Sequence, residues 1–203
     1  MDPRERVARE AARLLYTGAS EEYKHAKERA ASSLGLDSMP SNFEVALELD
    51  ILADELEGEE RKSLLARMRE RALEVMRIFA DLSPRLIGSV WRGTARRESD
   101  LDIEVYSARF EEVESRLTRS GYVLGESEDV VVNRGVRPTR SRHLTVPLEE
   151  FDVEVVIRPP EEMDEAERCE IYGDAKRGLT LPELEKLMKT DPLRKFVPRR
   201  RRR

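Results

Sequence analysis

Apolar residues recur at helical spacing through residues 1–82 and then switch to a period of two. Val7, Ala11, Leu14 and Leu15 form a stripe that Gly18 ends, which predicts a first helix. Ser20, Glu21 and Glu22 start a second, with Tyr23, Ala26, Ala30 and Leu34 on one face and Gly35 as its stop. Ser41 and Glu44 have the spacing of a capping box and open a third, whose face of Val45, Leu49, Leu52 and Leu56 runs to Gly58. Leu64, Leu65, Met68, Ala72, Val75, Met76 and Phe79 line a fourth, which ends at Ser83-Pro84.

After Pro84 the pattern alternates. RLIGSV and LDIEVYS read as strands around a loop, and RFEEVESRLTRSG as a helix stopped by Gly121. YVLGESEDVVVN, SRHLTV and FDVEVVIRP are β-rich, with PLEE as a hairpin connection between the last two. Thr180 and Glu183 form another capping box ahead of the helix LTLPELEKLM, with Pro182 in its first turn. The pattern predicts an α+β protein: a helical region over 1–82, a mixed domain over 83–197 and a basic tail over 198–203. No internal repeat is visible.

Composition narrows the class. The chain has 203 residues, 39% of them apolar and 39% charged, which describes a folded protein with a heavily charged surface. The net charge of −5 means that any polyanion must be held by a local patch. Cys169 is the single cysteine, so no disulfide can form within the chain, which fits a reducing cytoplasm. No apolar run reaches membrane-spanning length, and MDPRERVARE lacks the apolar core of a secretory signal. The expectation is a cytoplasmic protein with no membrane partner. Glutamine is absent and only Asn42 and Asn133 carry the other side-chain amide, while Glu and Arg abound; this is the trend of heat-adapted proteins.

The candidate chemistry lies in LIGSVWRGTARRESDLDIEVYS, Leu86 to Ser107. Asp100 and Asp102 share one face of a strand, while Leu101 and Ile103 point into a core. Adjacent carboxylates repel unless a cation stands between them. Hard divalent ions such as Mg²⁺ take oxygen ligands and bridge carboxylates to phosphates. Upstream, Gly88 lets the backbone approach a ligand, Ser89 offers a hydroxyl and an N–H, and Arg92 can fork onto phosphate oxygens. Gly93 and Thr94 let the chain turn back toward the aspartates. Alone, an acid-apolar-acid strand is a solvated sheet face; the ordered combination is far more specific.

GSVWRGTARRESDLDIEV resembles the signature of the polymerase-beta-type nucleotidyltransferase superfamily, a Gly-Ser pair followed by Asp-x-Asp on a strand. It is similar to small stand-alone prokaryotic nucleotidyltransferases and to archaeal CCA-adding enzymes, and the resemblance extends over residues 84–160. It implies a polymerase-beta-like domain, a mixed sheet with flanking helices, after the helical region that the periodicity predicts. It also implies a third carboxylate on a neighbouring strand. FDVEVVIRP supplies Asp152, which has the more usual residue type, and Glu154, which has the better register. Both remain open, beside the plainer reading of two acids on an exposed sheet face.

The resemblance further implies a nucleoside triphosphate, ATP foremost, over Gly88, Ser89, Arg92, Gly93 and Thr94. Asp100, Asp102 and the third acid, Glu154 or Asp152, would hold Mg²⁺, two ions in all, and transfer a nucleoside monophosphate to a hydroxyl. The acceptor is open among a small molecule, RNA and protein. Two alternatives stand beside this: an RNA-directed, CCA-adding-like transferase, and a non-catalytic nucleotide-binding or antitoxin module of the same fold. Other residues have two readings each. His143 is either a hairpin histidine or a cleft residue, Trp91 a packing residue or a base platform, and Arg137, Arg140 and Arg142 a solvated loop or an anion grip. Tyr172 and Lys176 follow the third-acid strand and could reach a nucleotide, and Arg199 to Arg203 could meet nucleic acid.

Overall fold

The structure is a computed structural model that describes residues 2–134, 137–165 and 167–198. The expected basic tail, Pro198 apart, lies outside the described residues. The described chain divides into two compact units, one of residues 2–61, 168–175 and 198, the other of 62–167 and 176–197. Among the described residues, no helix is long and apolar enough to cross a membrane.

The first unit is built on α1 (Pro3–Tyr16), α2 (Tyr23–Leu34) and the first segment of α3 (Asn42–Ile78). Its core is rich in alanine: Ala8, Ala11 and Ala12 of α1 meet Ala26 and Ala30 of α2, with Val7, Leu15, Val45 and Leu49 around them. The predicted capping box is present, with the Ser41 N–H donating to Glu44 Oε2 at 2.8 Å and the Glu44 N–H to Ser41 Oγ at 3.2 Å. The third and fourth expected helices form one element interrupted at Gly58, whose φ of 55° and ψ of −130° suit glycine alone.

The second unit begins with the rest of α3. Its other elements are β1 (Arg85–Leu86), α4 (Gly88–Arg92), β2 (Leu101–Tyr106), α5 (Phe110–Arg119), β3 (Ser127–Arg134), β4 (Arg137–Val146), β5 (Val153–Arg158), β6 (Leu179–Thr180) and α6 (Leu181–Thr190). The strands make one six-stranded mixed sheet in the order β3-β4-β5-β2-β1-β6. β2 and β5 run parallel at its centre, and every other pair is antiparallel.

Strand alternation sorts the central residues by face. Leu101, Ile103 and Val105 of β2 and Val153, Val155 and Ile157 of β5 are fully buried in one core with Met68, Met76 and Phe79 of α3 and Leu184 of α6. Each such side chain stabilises the fold by roughly 1.5–3 kcal/mol. Asp102, Glu104 and Tyr106, with Glu154, Val156 and Arg158 beside them, take the opposite face. At one end that face is closed by an ionic network. Arg158 Nη1 donates to Glu104 Oε1 at 2.8 Å, Arg158 Nε to Glu162 Oε2 at 2.9 Å, and the Tyr106 hydroxyl to Glu104 Oε2 at 2.9 Å. At the other end stand Asp102 and Glu154, only partly covered.

Two details depart from the sequence reading. RLIGSV is a two-residue strand followed by a short helix, because Gly88 turns the chain with a φ of 67° and Gly93 stops the helix in the left-handed region. β6 pairs with β1, a contact between segments far apart in sequence that no local pattern announces.

Candidate active site

The β2–β5 ladder sets the acidic cluster. Asp102 faces Glu154 directly in the parallel register, and the Leu101 N–H donates to the Asp152 carbonyl at 2.9 Å. Asp100 and Asp152, one residue before their strands, are both exposed at the mouth. The cluster thus brings together the acids that the sequence singled out, with Glu154 beside Asp102 and Asp152 beside Asp100.

The Gly-Ser turn is tied to the same strand. The Ile87 N–H donates to the Asp102 carbonyl at 3.0 Å, which lays Gly88 directly on the Asp102 side chain. A Cβ on Gly88 would stand 1.8 Å from Asp102 Oδ2. Ser89 follows on α4, half-buried, and its carbonyl accepts the Thr94 N–H at 3.0 Å, closing the turn toward the aspartates.

Arg92 and Gly93, expected at the phosphates, are buried against the C-terminal segment. Arg92 Nη1 donates to the Phe196 carbonyl at 2.9 Å, and the Phe196 N–H donates to the Arg92 carbonyl at 2.8 Å. The Arg92 guanidinium also lies 4.1 Å from the centroid of the Trp91 ring. A Cβ on Gly93 would meet the Arg194 carbonyl at 2.8 Å. Trp91 is a core residue.

Sequence reasoning missed what holds α4 from behind. Arg69 is fully buried, and its guanidinium donates to four carbonyls: Val90 (3.1 Å) and Trp91 (3.0 Å) of α4, and Pro192 (2.6 Å) and Arg194 (3.0 Å) of the C-terminal segment. The Val90 carbonyl also accepts the Gly93 N–H at 3.3 Å, and the guanidinium adds donors to both carbonyls at the end of this short helix. Burial lowers its pKa to about 10, which leaves it charged at neutral pH. The signal was available: position 69 falls on the apolar stripe with Leu65, Ala72 and Met76, and a cation there must find buried acceptors.

The electrostatics of the cluster are those of crowded acids. Burial, then the charges of Glu154 and Asp100 and a hydrogen bond with Glu154, push the Asp102 carboxyl up to about 7, with Lys176 pulling the other way. Burial and the neighbouring Asp152 and Glu154 likewise hold Asp100 above the usual carboxylate range. Among the described residues, no three His, Cys, Asp or Glu side chains stand together as a ready-made metal cage. Asp102 and Glu154 lie side by side instead, and burial with the adjacent charges favours the neutral form of Asp102. The donor set still suits a hard divalent cation: all its groups are carboxylate oxygens, and a cation among them relieves the repulsion that raises Asp102.

Of the remaining candidates, His143 lies on the cluster's face, with Nδ1 2.6 Å from Glu154 Oε1. Lys176 Nζ stands 3.7 Å from Glu167 Oε2. Tyr172 packs edge-on against Phe43, ring centroids 5.9 Å apart. Arg140 and Arg142 both pair with Asp129 across the β3–β4 hairpin.

A mixed sheet whose central parallel strands carry paired acids, with a Gly-Ser turn packed on one of them, defines the polymerase-beta type of nucleotidyltransferase. The chain belongs to the nucleotidyltransferase domain family, which it matches over residues 69–177. No curated protein is similar enough to count as a relative. A solved structure of a cytoplasmic RNA terminal U-transferase is similar at 19% identity, over 57% of this chain and 34% of that one, with a TM-score of 0.33. The chain therefore spans about a third of that protein's length.

Proposed function

We propose that this protein transfers a nucleoside monophosphate from a nucleoside triphosphate, ATP foremost, to the hydroxyl of an acceptor, with Mg²⁺ held by Asp100, Asp102 and Glu154. The observation that carries this reading is the register of Asp102 on Glu154 with Gly88 packed on the Asp102 carboxyl. Glu154 serves as third acid because its side chain adjoins Asp102 on the sheet face, whereas Asp152 sits before the strand, beside Asp100. The backbone at Gly88 and the hydroxyl of Ser89 face the triphosphate. Arg92 and Gly93 serve from behind, fixing α4 to the C-terminal segment.

Mg²⁺ held by Asp100, Asp102 and Glu154 would supply charge neutralisation for the phosphates and would make the acceptor hydroxyl more acidic. The chain's own residues do the positioning. Asp100 and Asp102 hold one end of the reaction coordinate fixed through the sheet, and Glu154 lies where it can take the acceptor's proton. The acceptor is defined only as a hydroxyl. The test is Asp100→Ala with Asp102→Ala: transfer from each labelled triphosphate in the presence of Mg²⁺ and cell extract is expected to vanish. Labelling that survives the double substitution overturns the mechanism.

A further inference from the structure

We infer that His143 is a positioning residue for the third carboxylate, its Nδ1–H fixing Glu154 beside Asp102. The inference rests on Glu154 being a cation ligand, as proposed above, and adds a residue to which neither the family match nor the resemblance assigns a role.

The geometry is specific. β4 pairs antiparallel with β5, with Thr145 opposite Glu154 and His143 opposite Val156. His143 and Glu154 are therefore diagonal neighbours on one face, a separation that long side chains bridge. The bridge is short, 2.6 Å from Nδ1 to Oε1. On its far side the ring meets Ser141, whose Oγ lies 3.4 Å from Nε2. A carboxylate only accepts, so Nδ1 carries a proton toward Glu154, and Nε2 lies beside the Ser141 hydroxyl. The ring is thus held from both sides.

A positioning role answers a difficulty in the site. Glutamate has one more rotatable bond than aspartate, so fixing its carboxylate loses more conformational freedom. A donor that holds one oxygen restores the definition an aspartate would have by itself. Hydrogen-bond partners of ligating carboxylates act this way in metal sites generally.

The experiment measures Mn²⁺ binding to the full chain by electron paramagnetic resonance, with a non-hydrolysable triphosphate analogue present, beside steady-state transfer kinetics. His143→Ala and His143→Gln are expected to lose roughly 10–100-fold in Mn²⁺ affinity, with a parallel fall in kcat and an unchanged KM for the triphosphate. His143→Asn, whose amide N–H falls where Nδ1–H stood, is expected to stay close to wild type. Thermal melts monitor folding; should His143→Ala unfold, the Asn and Gln variants, one methylene apart, carry the comparison. Wild-type Mn²⁺ affinity in His143→Ala, or His143→Asn as weak as His143→Gln, overturns the inference. Glu154→Gln separates the two readings. Weak Mn²⁺ binding there with normal binding in His143→Ala sinks the positioning role alone, and normal binding in Glu154→Gln sinks the ligand role and this one with it.

Discussion

Gly88 and Asp102 stand so close that no side chain fits between them: a Cβ on Gly88 would lie 1.8 Å from Asp102 Oδ2. The φ of 67° at Gly88 also disfavours any other residue. Gly88→Ala must therefore push the carboxylate aside, and a displacement near 1 Å at a reacting centre costs about a hundredfold in rate. Transfer activity of Gly88→Ala is expected to fall by at least that factor while its far-ultraviolet dichroism matches wild type. Near-normal turnover would show that the Asp102 position is irrelevant to the reaction.

The raised Asp102 carboxyl makes stability depend on pH. The Asp102 carboxyl titrates near 7 in the folded chain and near its ordinary acidic value when unfolded. Between those values the folded state binds the extra proton, so stability is greatest at the acid end and falls as pH rises toward 7. The full effect amounts to at most about 4 kcal/mol. Without divalent ions, the melting temperature is expected to drop from pH 5 to pH 8, and Mg²⁺ at pH 8 to restore it. Asp102→Asn should flatten the pH slope; an equal slope in that variant would assign it to another group.

The register also ranks the two acids of β5. Glu154→Gln removes the carboxylate beside Asp102 and is expected to lower kcat by the 10²–10⁴-fold typical of a lost general base. Asp152→Asn, at the exposed mouth, is expected to cost much less. Single-turnover transfer with each variant decides, and the reverse ranking would move the third acid to Asp152.

Arg69 supports α4 without touching the acids. Arg69→Met strips donors from the Val90, Trp91, Pro192 and Arg194 carbonyls; Val90 keeps the Gly93 N–H, and each buried acceptor left unpaired costs about 1–3 kcal/mol, less what the site recovers by relaxing. Urea unfolding is expected to show a loss of several kcal/mol, and Arg69→Lys an intermediate one because an ammonium cannot fork across both segments. A change below about 0.5 kcal/mol, the scale of an ordinary surface substitution, would mean that these bonds add nothing to stability.

Local pattern carried most of the fold. The period of 3.6 in α1 and α5 and the alternation in β2 and β5 were visible because each element has one apolar face. Asp100, Asp102 and the two acids of FDVEVVIRP were legible for the same reason: polar residues at every second position must share a face. What stayed hidden is non-local. Arg158 meets Glu104 across 54 residues, through a parallel pairing that no turn residue encodes. The two readings of His143 needed the β4–β5 register to separate them, since a shift of one residue would turn the ring to the other face. Arg92 donates to the Phe196 carbonyl, a contact 104 residues away that its place in the motif does not announce.

The clasp of residues 192–196 on α4 has a consequence for the order of synthesis. Ribosomes extend chains at about 5–20 residues per second, and early segments collapse before later ones emerge. The Gly-Ser turn and both aspartates leave the tunnel long before Phe196 arrives to hold α4 in place. Until residues 192–196 are made, α4 lacks the backbone bonds with Phe196 and the Arg194 carbonyl against Gly93 that hold it from behind.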